Sequence, residues 1–410
     1  MATVYFARWL LLPSGEILNN GAVAVEGNRI VSVGNRATVK RSSHDRMVSC
    51  GDMLLMPGLI NMHTHLEEGI VRGMGKTSEE TFTSWIAKRG TRCRQASPET
   101  LVAATRLGVR ELLTNGTTTV VDSSRISDSA GAFAGELIRA WSIRELHEDE
   151  SASEEILRQD SSTRRALLAG SHLVHPGIGP HALFSLSPRS HRVVVEYARQ
   201  MEWQWFCHLA ESAEELQAFS EHAGDLYFYV TRRRPWPFGE KTQGSMYYAI
   251  TNSLIPNNAV LFHCNYTTGH ELALLAAKGV SIVLTPQYDR QMGHKRFPVD
   301  VALNRGVNLC LGTESRADSE SLSLFDELYE MRNAYPHLSP TTLLGMVTTN
   351  AARALRAAGE IGVLEPGAFA DLIGVAFAHD PRGDLLEELL EESPTVRLAL
   401  VNGEEVIVDI

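Results

Sequence analysis

The chain has 410 residues, of which 44% are apolar and 21% charged, a composition typical of a globular protein with a large buried core. Disordered and fibrous proteins are therefore excluded. The 38 basic and 49 acidic residues give a formal net charge of −11 at pH 7. Because such a field repels nucleic acid and anionic membrane surfaces, the expected partner is a small molecule, with no nucleic acid and no membrane.

Cysteine usage and hydropathy indicate the compartment. Five widely spaced cysteines never form a CxxC pair, which argues against a disulfide framework or a structural zinc knuckle. The amino-terminal apolar run lacks a basic n-region and a small-residue cleavage site. No stretch approaches the roughly 18 consecutive apolar residues of a membrane span. We therefore expect a soluble, cytoplasmic protein.

The pattern along the chain predicts an α/β fold. Residues 1–55 contain short β-branched runs, and from about residue 56 apolar runs alternate with segments of helical period, as in parallel strands joined by crossover helices. Eight strands are predicted: LLMPGLINM, TTTVVD, LIRAWSI, GIGPHALF, WQWFCHL, AVLFHC, VSIVLT and VNLCLGT. Eight is the number that closes a TIM-like (β/α)₈ barrel. We predict the barrel over residues 56–360 and a small β-sandwich domain formed by residues 1–55 and 361–410.

The longest polar connection falls between the fifth and sixth predicted strands. Residues 229–248 are too long and too polar for an ordinary loop of a compact domain. They form either a lid over the mouth of the barrel or a surface loop, and the sequence leaves both open.

Histidines and a carboxylate follow several of these strands. His63 and His65 stand two apart at the end of the first strand, so both imidazoles point to one side. That pair alone is weak evidence, but His208, His263 and Glu314 end three further strands. In a parallel barrel all carboxyl ends open on one face, so these groups are expected to meet there.

Such a set of side chains suits a divalent metal ion. Neutral imidazoles and one carboxylate are ligands for zinc or iron(II), and a metal can lower the pKa of a bound water from 15.7 to about 7. Glu211 lies three residues after His208, where it could move a proton between that water and a leaving group. The alternative is a Glu that complements a helix N-terminus.

Seven motifs follow one another in order across nearly the whole chain: PGLINMHTH, NGTTTVVD, GPHALFSLSP, HLAES, HCNYTTGHELALLAAKGVSIVLTP, GVNLCLGTES and GVLEPGAFADLIGV. Together they resemble the amidohydrolase superfamily, in the cytosine-deaminase-like branch that includes chlorotriazine hydrolases and S-adenosylhomocysteine and aminofutalosine deaminases. The resemblance implies one metal ion held by His63, His65, His208 and Glu314. It also implies that His263 orients the water, that Glu211 shuttles the proton and that Glu314 accepts a proton from the water.

Zinc is the preferred ion, with iron(II) or manganese as alternatives. Binuclear members of the superfamily use a bridging carboxylated lysine on the fourth strand, and none of the six lysines lies there. We therefore expect one divalent ion per chain.

Other residues are candidates for contacts with the substrate. His181 matches a family position that faces the substrate, although a structural histidine at a strand end is the alternative. Trp85 resembles a pocket-lining aromatic, and core packing is equally compatible with it. Arg290, His294, Arg316 and the run Arg232–Arg234 would surround an acidic substrate group if they face the mouth, whereas solvated surface charge is the commoner role.

The chain departs from the family at the eighth strand, where Glu314 stands in place of the usual Asp. The extra methylene moves the carboxylate by about 1.5 Å, and misplacements near 1 Å can cost on the order of 100-fold in rate. Either the pocket fits Glu, or metal binding is weakened, or the chemistry is lost. The stretch TPQYDRQMGH and Arg316 also differ from the family pattern, which affects the substrate more than the fold.

The leading hypothesis is an amidohydrolase acting on C–N bonds other than peptide bonds, namely a hydrolytic deaminase of an aminated aromatic heterocycle or nucleoside-like compound. Chlorohydrolysis or hydrolysis of another C–N bond is the close alternative, since the same nucleophile serves. A catalytically degenerate homologue that acts as a binding protein is the alternative from another class. By analogy with such enzymes, a homodimer or larger homo-oligomer is expected.

Overall fold

Strands from both ends of the chain share one mixed sheet. The computed structural model describes residues 1–40, 42–126, 130–169, 171–391 and 394–410. The strands of this sheet are β1 (Thr3–Leu11), β2 (Ile17–Glu26), β3 (Arg29–Asn35), β4 (Arg46–Ser49), β5 (Leu54–Pro57), β14 (Leu372–Ala376), β15 (Thr395–Val401) and β16 (Glu404–Val408). Their order is β16-β15-β14-β5-β1-β2-β3, and β4 pairs with β1. Buried Leu10, Leu55, Leu372 and Leu398 belong to the core of this unit.

The eight barrel strands follow one another in space in chain order and pair in parallel. They are β6 (Leu59–Thr64), β7 (Thr117–Ser124), β8 (Arg139–Leu146), β9 (Val174–Pro180), β10 (Gln204–Leu209), β11 (Val260–His263), β12 (Ser281–Leu284) and β13 (Asn308–Leu311). Each lies on one of the eight predicted segments, so the predicted barrel with a β unit from both termini is confirmed.

The first predicted strand, LLMPGLINM, proves to be two strands. Its residues before Gly58 belong to β5 in the mixed sheet and those after it to β6 in the barrel. The break follows from the chain geometry, because the Gly58 N–H donates to the carbonyl of Asp371 while Leu59 already donates to Gly116.

The barrel closes between its eighth and first strands. The N–H groups of Thr313 and Glu314 donate to the carbonyl of His63 at 3.0 and 3.2 Å. Gly312 permits this approach, since a Cβ there would lie 2.7 Å from the His63 nitrogen. The closure therefore brings Glu314 beside the segment His63-Thr64-His65.

Helices connect the barrel strands and cover them. They are α1 (Phe82–Gln95), α2 (Pro98–Thr114), α3 (Ala130–Phe133), α4 (Glu154–Leu168), α5 (Pro188–Met201), α6 (Ala213–Glu221), α7 (Gly224–Thr231), α8 (Ser245–Thr251), α9 (Gly269–Ala277), α10 (Pro286–Met292), α11 (Val299–Asn304), α12 (Leu324–Ala334), α13 (Pro340–Met346), α14 (Thr349–Ala354) and α15 (Leu385–Glu391). Helix α2 begins after Ser97, whose side chain caps the helix by accepting from the Thr100 N–H. Among the described residues we find no helical segment with the length and hydrophobicity that a bilayer crossing requires.

A buried ion pair joins the amino-terminal end of the barrel to the mixed sheet. Arg139, the first residue of β8, donates through Nε and Nη2 to the Asp371 carboxylate at 2.9 and 3.3 Å. The Asn402 N–H donates to the same carboxylate at 2.6 Å. Every oxygen of this carboxylate therefore has a partner.

Candidate metal centre and active site

The carboxyl ends of the strands bring imidazoles and a carboxylate together. His63 Nε2 lies 2.6 Å from Glu314 Oε2 and 3.1 Å from His208 Nε2. His65 Nε2 lies 3.4 Å from His208 Nε2, and His263 Nε2 lies 3.7 Å from Glu314 Oε2. All five side chains are buried. The structure therefore gathers in one place groups that are up to 251 positions apart in the chain (314 − 63).

The tautomers of two rings show that this centre suits a cation. His65 Nδ1 lies 3.2 Å from the carbonyl of Ser123, and His208 Nδ1 lies 2.6 Å from the carbonyl of His181. A ring nitrogen that bonds a carbonyl must carry the proton, so Nε2 of each ring is an unprotonated lone pair. Two such lone pairs face each other across 3.4 Å. Without a positive charge between them they repel each other.

Distances and protonation also fit one ion. Ligand atoms about 2.0–2.2 Å from a zinc ion lie roughly 3.0–3.6 Å from one another, which is close to the spacings seen here. Burial lowers the pKa of His208 to about 3 and holds the pKa of His65 well below its usual range, so both rings are neutral, as ligation requires.

Glu314 reaches the imidazoles despite its extra methylene. Its backbone is in the left-handed region, with φ of 58°, and its carbonyl accepts from the His65 N–H at 3.1 Å. Burial alone would raise the pKa of Glu314, but the imidazoles of His63 and His65 outweigh burial and hold that pKa well below its usual range. The carboxylate is therefore ionised.

Glu211 lies beside the cluster and does not cap a helix. Helix α6 begins at Ala213 with Ser212 as its N-cap, and the buried Glu215 carboxylate accepts the backbone N–H groups of Ala210 and Glu211. The Glu211 carboxylate instead accepts the hydroxyl of Tyr288 at 2.8 Å.

Two imidazoles determine the charge of Glu211. Its Oε1 lies 3.9 Å from His263 Nε2 and 3.7 Å from His294 Nε2. Burial opposes ionisation, but His263 and His294 outweigh it and lower the pKa of Glu211 to about 2. Glu211 is thus a carboxylate able to accept a proton.

His263 faces both carboxylates. Its Nδ1 lies 3.0 Å from the Thr285 hydroxyl, which fixes the ring, and its Nε2 has no hydrogen-bond partner among the residues that the structure describes. That nitrogen points to the space between Glu211 and Glu314, where a water could be oriented.

A cavity of about 610 Å³ opens beside the cluster. His65 and His181 contribute to its wall, and the His181 ring stacks on His208 with centroids 4.7 Å apart. Charged side chains of both signs also line it, among them Glu67, Glu145, Arg125 and Arg233. The cavity is large enough for a drug-sized ligand.

Comparison with known proteins decides the family. The model of the amidohydrolase family matches residues 54–406, which is most of the chain. The chain belongs to the amidohydrolase family. The predicted family, the predicted barrel and the predicted class of metal-dependent hydrolase acting on C–N bonds are therefore confirmed.

Individual relatives are consistent with that family. This chain is 27% identical over 424 aligned residues to a 5-methylthioadenosine/S-adenosylhomocysteine deaminase of Nitratidesulfovibrio vulgaris. The alignment covers 96% of this chain and 88% of that protein. A structure described as an adenosine deaminase from Xanthomonas campestris with bound zinc has a TM-score of 0.85 at 22% identity, covering 99% of this chain and 93% of that one. The zinc complex of atrazine chlorohydrolase TrzN from Arthrobacter aurescens has a TM-score of 0.82 at 20% identity. The match covers 99% of this chain and 95% of that one.

Only some of the residues that were predicted to contact the substrate lie at this site. His181 lines the cavity and His294 contacts Glu211. Trp85 is fully buried and packs in a cluster with Tyr288 and Met292, so the structure places it behind the active site rather than in the cavity wall.

Arg290 and Arg316 are held elsewhere. The Arg290 guanidinium is exposed and pairs with Glu330 of α12 at 2.9 Å. Arg316 Nε lies 3.5 Å from the Glu111 carboxylate of α2, beside a separate, mainly apolar cavity of about 310 Å³. The structure therefore holds Arg290 away from the imidazoles, whereas Arg316 lines this second cavity together with His65 and pairs with a carboxylate on α2.

The polar connection at residues 229–248 contributes to the mouth of the cavity. Tyr229 and Arg233 line the cavity, and Arg234 donates to the Asp149 carboxylate and to the carbonyl of Phe184. These contacts tie the connection to the loops after the third and fourth barrel strands. Arg233 and Arg234 thus lie at the mouth, and a lid role for the connection stays a prediction.

Sequence reasoning missed several side chains of the site. Glu145 and His147 end the third barrel strand two residues apart, the same spacing that identified His63 and His65. Glu145 lies 3.6 Å from His208 Nδ1 and 3.9 Å from His65 Nδ1, on the side of the rings away from Nε2. A carboxylate in this position supports the orientation of ligating imidazoles.

Two further residues were also overlooked. Tyr288 lies within the stretch that departs from the family pattern, and nothing in the sequence marked its hydroxyl as a partner of Glu211. Arg89 follows Trp85 by four residues on the same face of α1, a spacing that could have indicated it, and its guanidinium contacts Glu314.

Proposed function

We propose that this amidohydrolase is a hydrolytic deaminase of an adenosine-like nucleoside and that it uses one divalent ion, zinc in preference to iron(II) or manganese. His63, His65, His208 and Glu314 would hold the ion. The pair of facing Nε2 lone pairs on His65 and His208 carries this proposal, since only a bound cation makes that arrangement favourable. A divalent ion in such a site supplies Lewis acidity, which lowers the pKa of water from 15.7 to about 7.

Glu211 moves the proton in this proposal. As a carboxylate it accepts a proton from the attacking water and delivers it to the ring nitrogen of the heterocycle; it then carries the second proton, from the new hydroxyl, to the amino group, which leaves as ammonia while the hydroxyl becomes the carbonyl. Tyr288 holds one of its oxygens at 2.8 Å and so fixes the direction of transfer. The overall reaction replaces the amino group by a carbonyl and consumes one water for each ammonia released.

His263 and His181 complete the site. Within the described part of the chain His263 Nε2 has no hydrogen-bond partner, and it faces both Glu211 and Glu314, so it can hold the attacking water between them. His181 lies in the cavity wall and stacks on His208, where its ring can contact the heterocycle.

The choice of a nucleoside rests on the relatives and on the cavity. The relative from Nitratidesulfovibrio vulgaris bears the name of a deaminase of adenosine derivatives and spans almost all of this chain. A cavity of about 610 Å³ accommodates a purine nucleoside with a substituent, and its charged walls favour a polar one.

Hydrolysis at another leaving group is the second candidate. The similarity to an atrazine chlorohydrolase, with a TM-score of 0.82, supports it, because the same site can activate water against chloride. The position of the Glu314 carboxylate, 2.6 Å from His63, supports an active enzyme over a degenerate homologue.

One experiment separates these functions. The protein is purified without chelator, its zinc, iron and manganese are measured, and ammonia and chloride release are followed with aminated purines, adenine nucleosides and chlorinated triazines. We expect close to one metal ion per chain and ammonia from an adenine nucleoside. Chloride release alone would replace deamination by the second candidate. Absence of metal from the wild type and from Glu314→Asp would exclude both.

The cysteines support a cytoplasmic location within the same proposal. All five are free and buried in the structure, including Cys207 and Cys264 beside the site. A reducing compartment keeps such thiols unpaired.

A further inference from the structure

A buried arginine joins the metal centre to the helix that follows the first barrel strand. The Arg89 side chain of α1 is only 5% exposed. Its Nε lies 3.2 Å from Glu68 Oε1, and its Nη1 lies 3.1 Å from Asp318 Oδ2 and 3.3 Å from Glu314 Oε1. One guanidinium thus holds three carboxylates.

The two oxygens of Glu314 have different partners. Oε1 lies 3.3 Å from Arg89 Nη1 and 3.7 Å from His65 Nε2, whereas Oε2 lies 2.6 Å from His63 Nε2 and 3.7 Å from His263 Nε2. Because Arg89 Nη1 contacts only Oε1 of Glu314, a rotation that exchanged the two oxygens would have to break this buried, charge-assisted contact.

The backbone of Glu314 leaves the side chain as the part that must be fixed. Its N–H donates to the His63 carbonyl and its carbonyl accepts from the His65 N–H. The position of the Glu314 Cα is therefore fixed by the first barrel strand. An Asp at this position would have one fewer rotatable bond. The longer Glu needs a second support to present the same oxygen each time.

We propose that Arg89 is a positioning residue that lets Glu act at the eighth-strand position, by holding Oε1 so that Oε2 is directed towards His63 and His263. This inference rests on the metal site of the proposed function. The geometry agrees with it: three carboxyl groups surround one guanidinium next to the place where a divalent cation would bind. Mutations of residues that support metal ligands typically weaken metal affinity by about 10–100-fold.

The test measures zinc affinity by competition with a chromophoric chelator, together with the visible absorption of the cobalt(II)-substituted protein. Arg89→Met should weaken zinc binding by roughly 10–100-fold and shift the cobalt bands, because Glu314 loses its support. Arg89→Lys should give a smaller loss, since an ammonium keeps the charge without the fork. If Arg89→Met does not fold, Arg89→Lys carries the same comparison with the buried charge retained.

Arg139→Met is the matched control. It removes another buried arginine–carboxylate pair, at the opposite end of the barrel. We expect it to lower stability while leaving zinc affinity and the cobalt spectrum unchanged. A general loss of packing would instead affect zinc affinity in both variants.

A double-mutant cycle with Glu314→Asp gives the deciding result. The shorter Asp cannot contact Arg89 and the imidazoles together, so Arg89→Met should change zinc affinity less than about threefold in that background. An equal loss in both backgrounds, or none with Glu314 present, would overturn the inference. Wild-type protein that binds no metal would instead overturn the proposed function, so the two failures are distinguishable.

Discussion

The two ends of the barrel both bury arginines and carboxylates, but they satisfy them differently. At the amino-terminal end the Asp371 carboxylate accepts from Arg139 and from the Asn402 N–H, and both of its oxygens have partners. At the carboxyl-terminal end His263 Nε2 has no hydrogen-bond partner among the described residues, and the Nε2 atoms of His65 and His208 face each other at 3.4 Å.

This difference separates structural from functional polar groups. A buried ion pair with complete hydrogen bonding joins the barrel to the mixed sheet and needs nothing further. Buried groups without partners cost stability unless a ligand completes them. The carboxyl-terminal end is therefore built for a ligand, and variants at the two ends should fail in different ways.

The largest effect is expected at the carboxyl-terminal end from Glu211→Gln. Glutamine can still accept the Tyr288 hydroxyl but cannot take a proton, so we expect kcat for ammonia release to fall by about 10³-fold with little change in Tm.

Glu271→Gln is the control for this change. Glu271 forms a capping box with Thr268 at the start of α9, and a glutamine serves there equally well, so kcat and Tm should both be unchanged. A Glu211→Gln enzyme that kept more than a tenth of wild-type turnover would argue against proton transfer by this residue.

Metal removal should have the next largest effect and should act on stability. A ligand present at 1,000 times its Kd stabilises the folded state by about 4.1 kcal/mol, so a strong chelator should lower Tm measurably and added zinc should restore it. The same shift is expected in Arg139→Met, because that pair lies at the other end. If the chelator leaves Tm unchanged while removing metal, the unpaired groups at the carboxyl-terminal end do not cost stability, and the contrast between the two ends is wrong.

The sequence predicted the barrel because its signals are local. Each strand is a short apolar run, and ligand-type residues such as His208 and His263 mark where two of the strands end. Parallel topology then placed those ends together without any knowledge of contacts.

The side chains that the sequence could not place depend on contacts between distant segments. Arg290 was expected to face the mouth, but Glu330 pairs with it on the surface. Arg89 contacts Glu314 across 225 positions, and the helical spacing that places Arg89 on the same face as Trp85 does not identify Glu314 as its partner. Both outcomes depend on how helices pack around the barrel, which charge patterns along the chain do not determine.

Arg139→Met should then show a loss of stability without a loss of chemistry. Removing one partner of a buried pair leaves the Asp371 charge uncompensated, so we expect the free energy of unfolding in urea to fall by about 3 kcal/mol. Zinc content and kcat should stay at wild-type values. The double variant Arg139→Met/Asp371→Asn should recover part of the loss, and a fall in zinc content in either variant would contradict the separation of the two ends.

The smallest effect concerns the pH dependence of stability at the amino-terminal end. His175 stacks on Trp141 with centroids 4.4 Å apart, and burial together with the charge of Arg139 lowers the pKa of His175 below its usual value. Below about pH 6.5 the unfolded chain therefore binds a proton that the folded chain resists, so this histidine makes stability fall as the pH falls. His175→Phe keeps an aromatic ring against Trp141 but cannot titrate. Urea unfolding of the two proteins from pH 7.5 to pH 5 should show a shallower decline for the variant. An identical slope would mean that the stacked ring accepts its proton as easily in the folded state as in the unfolded chain.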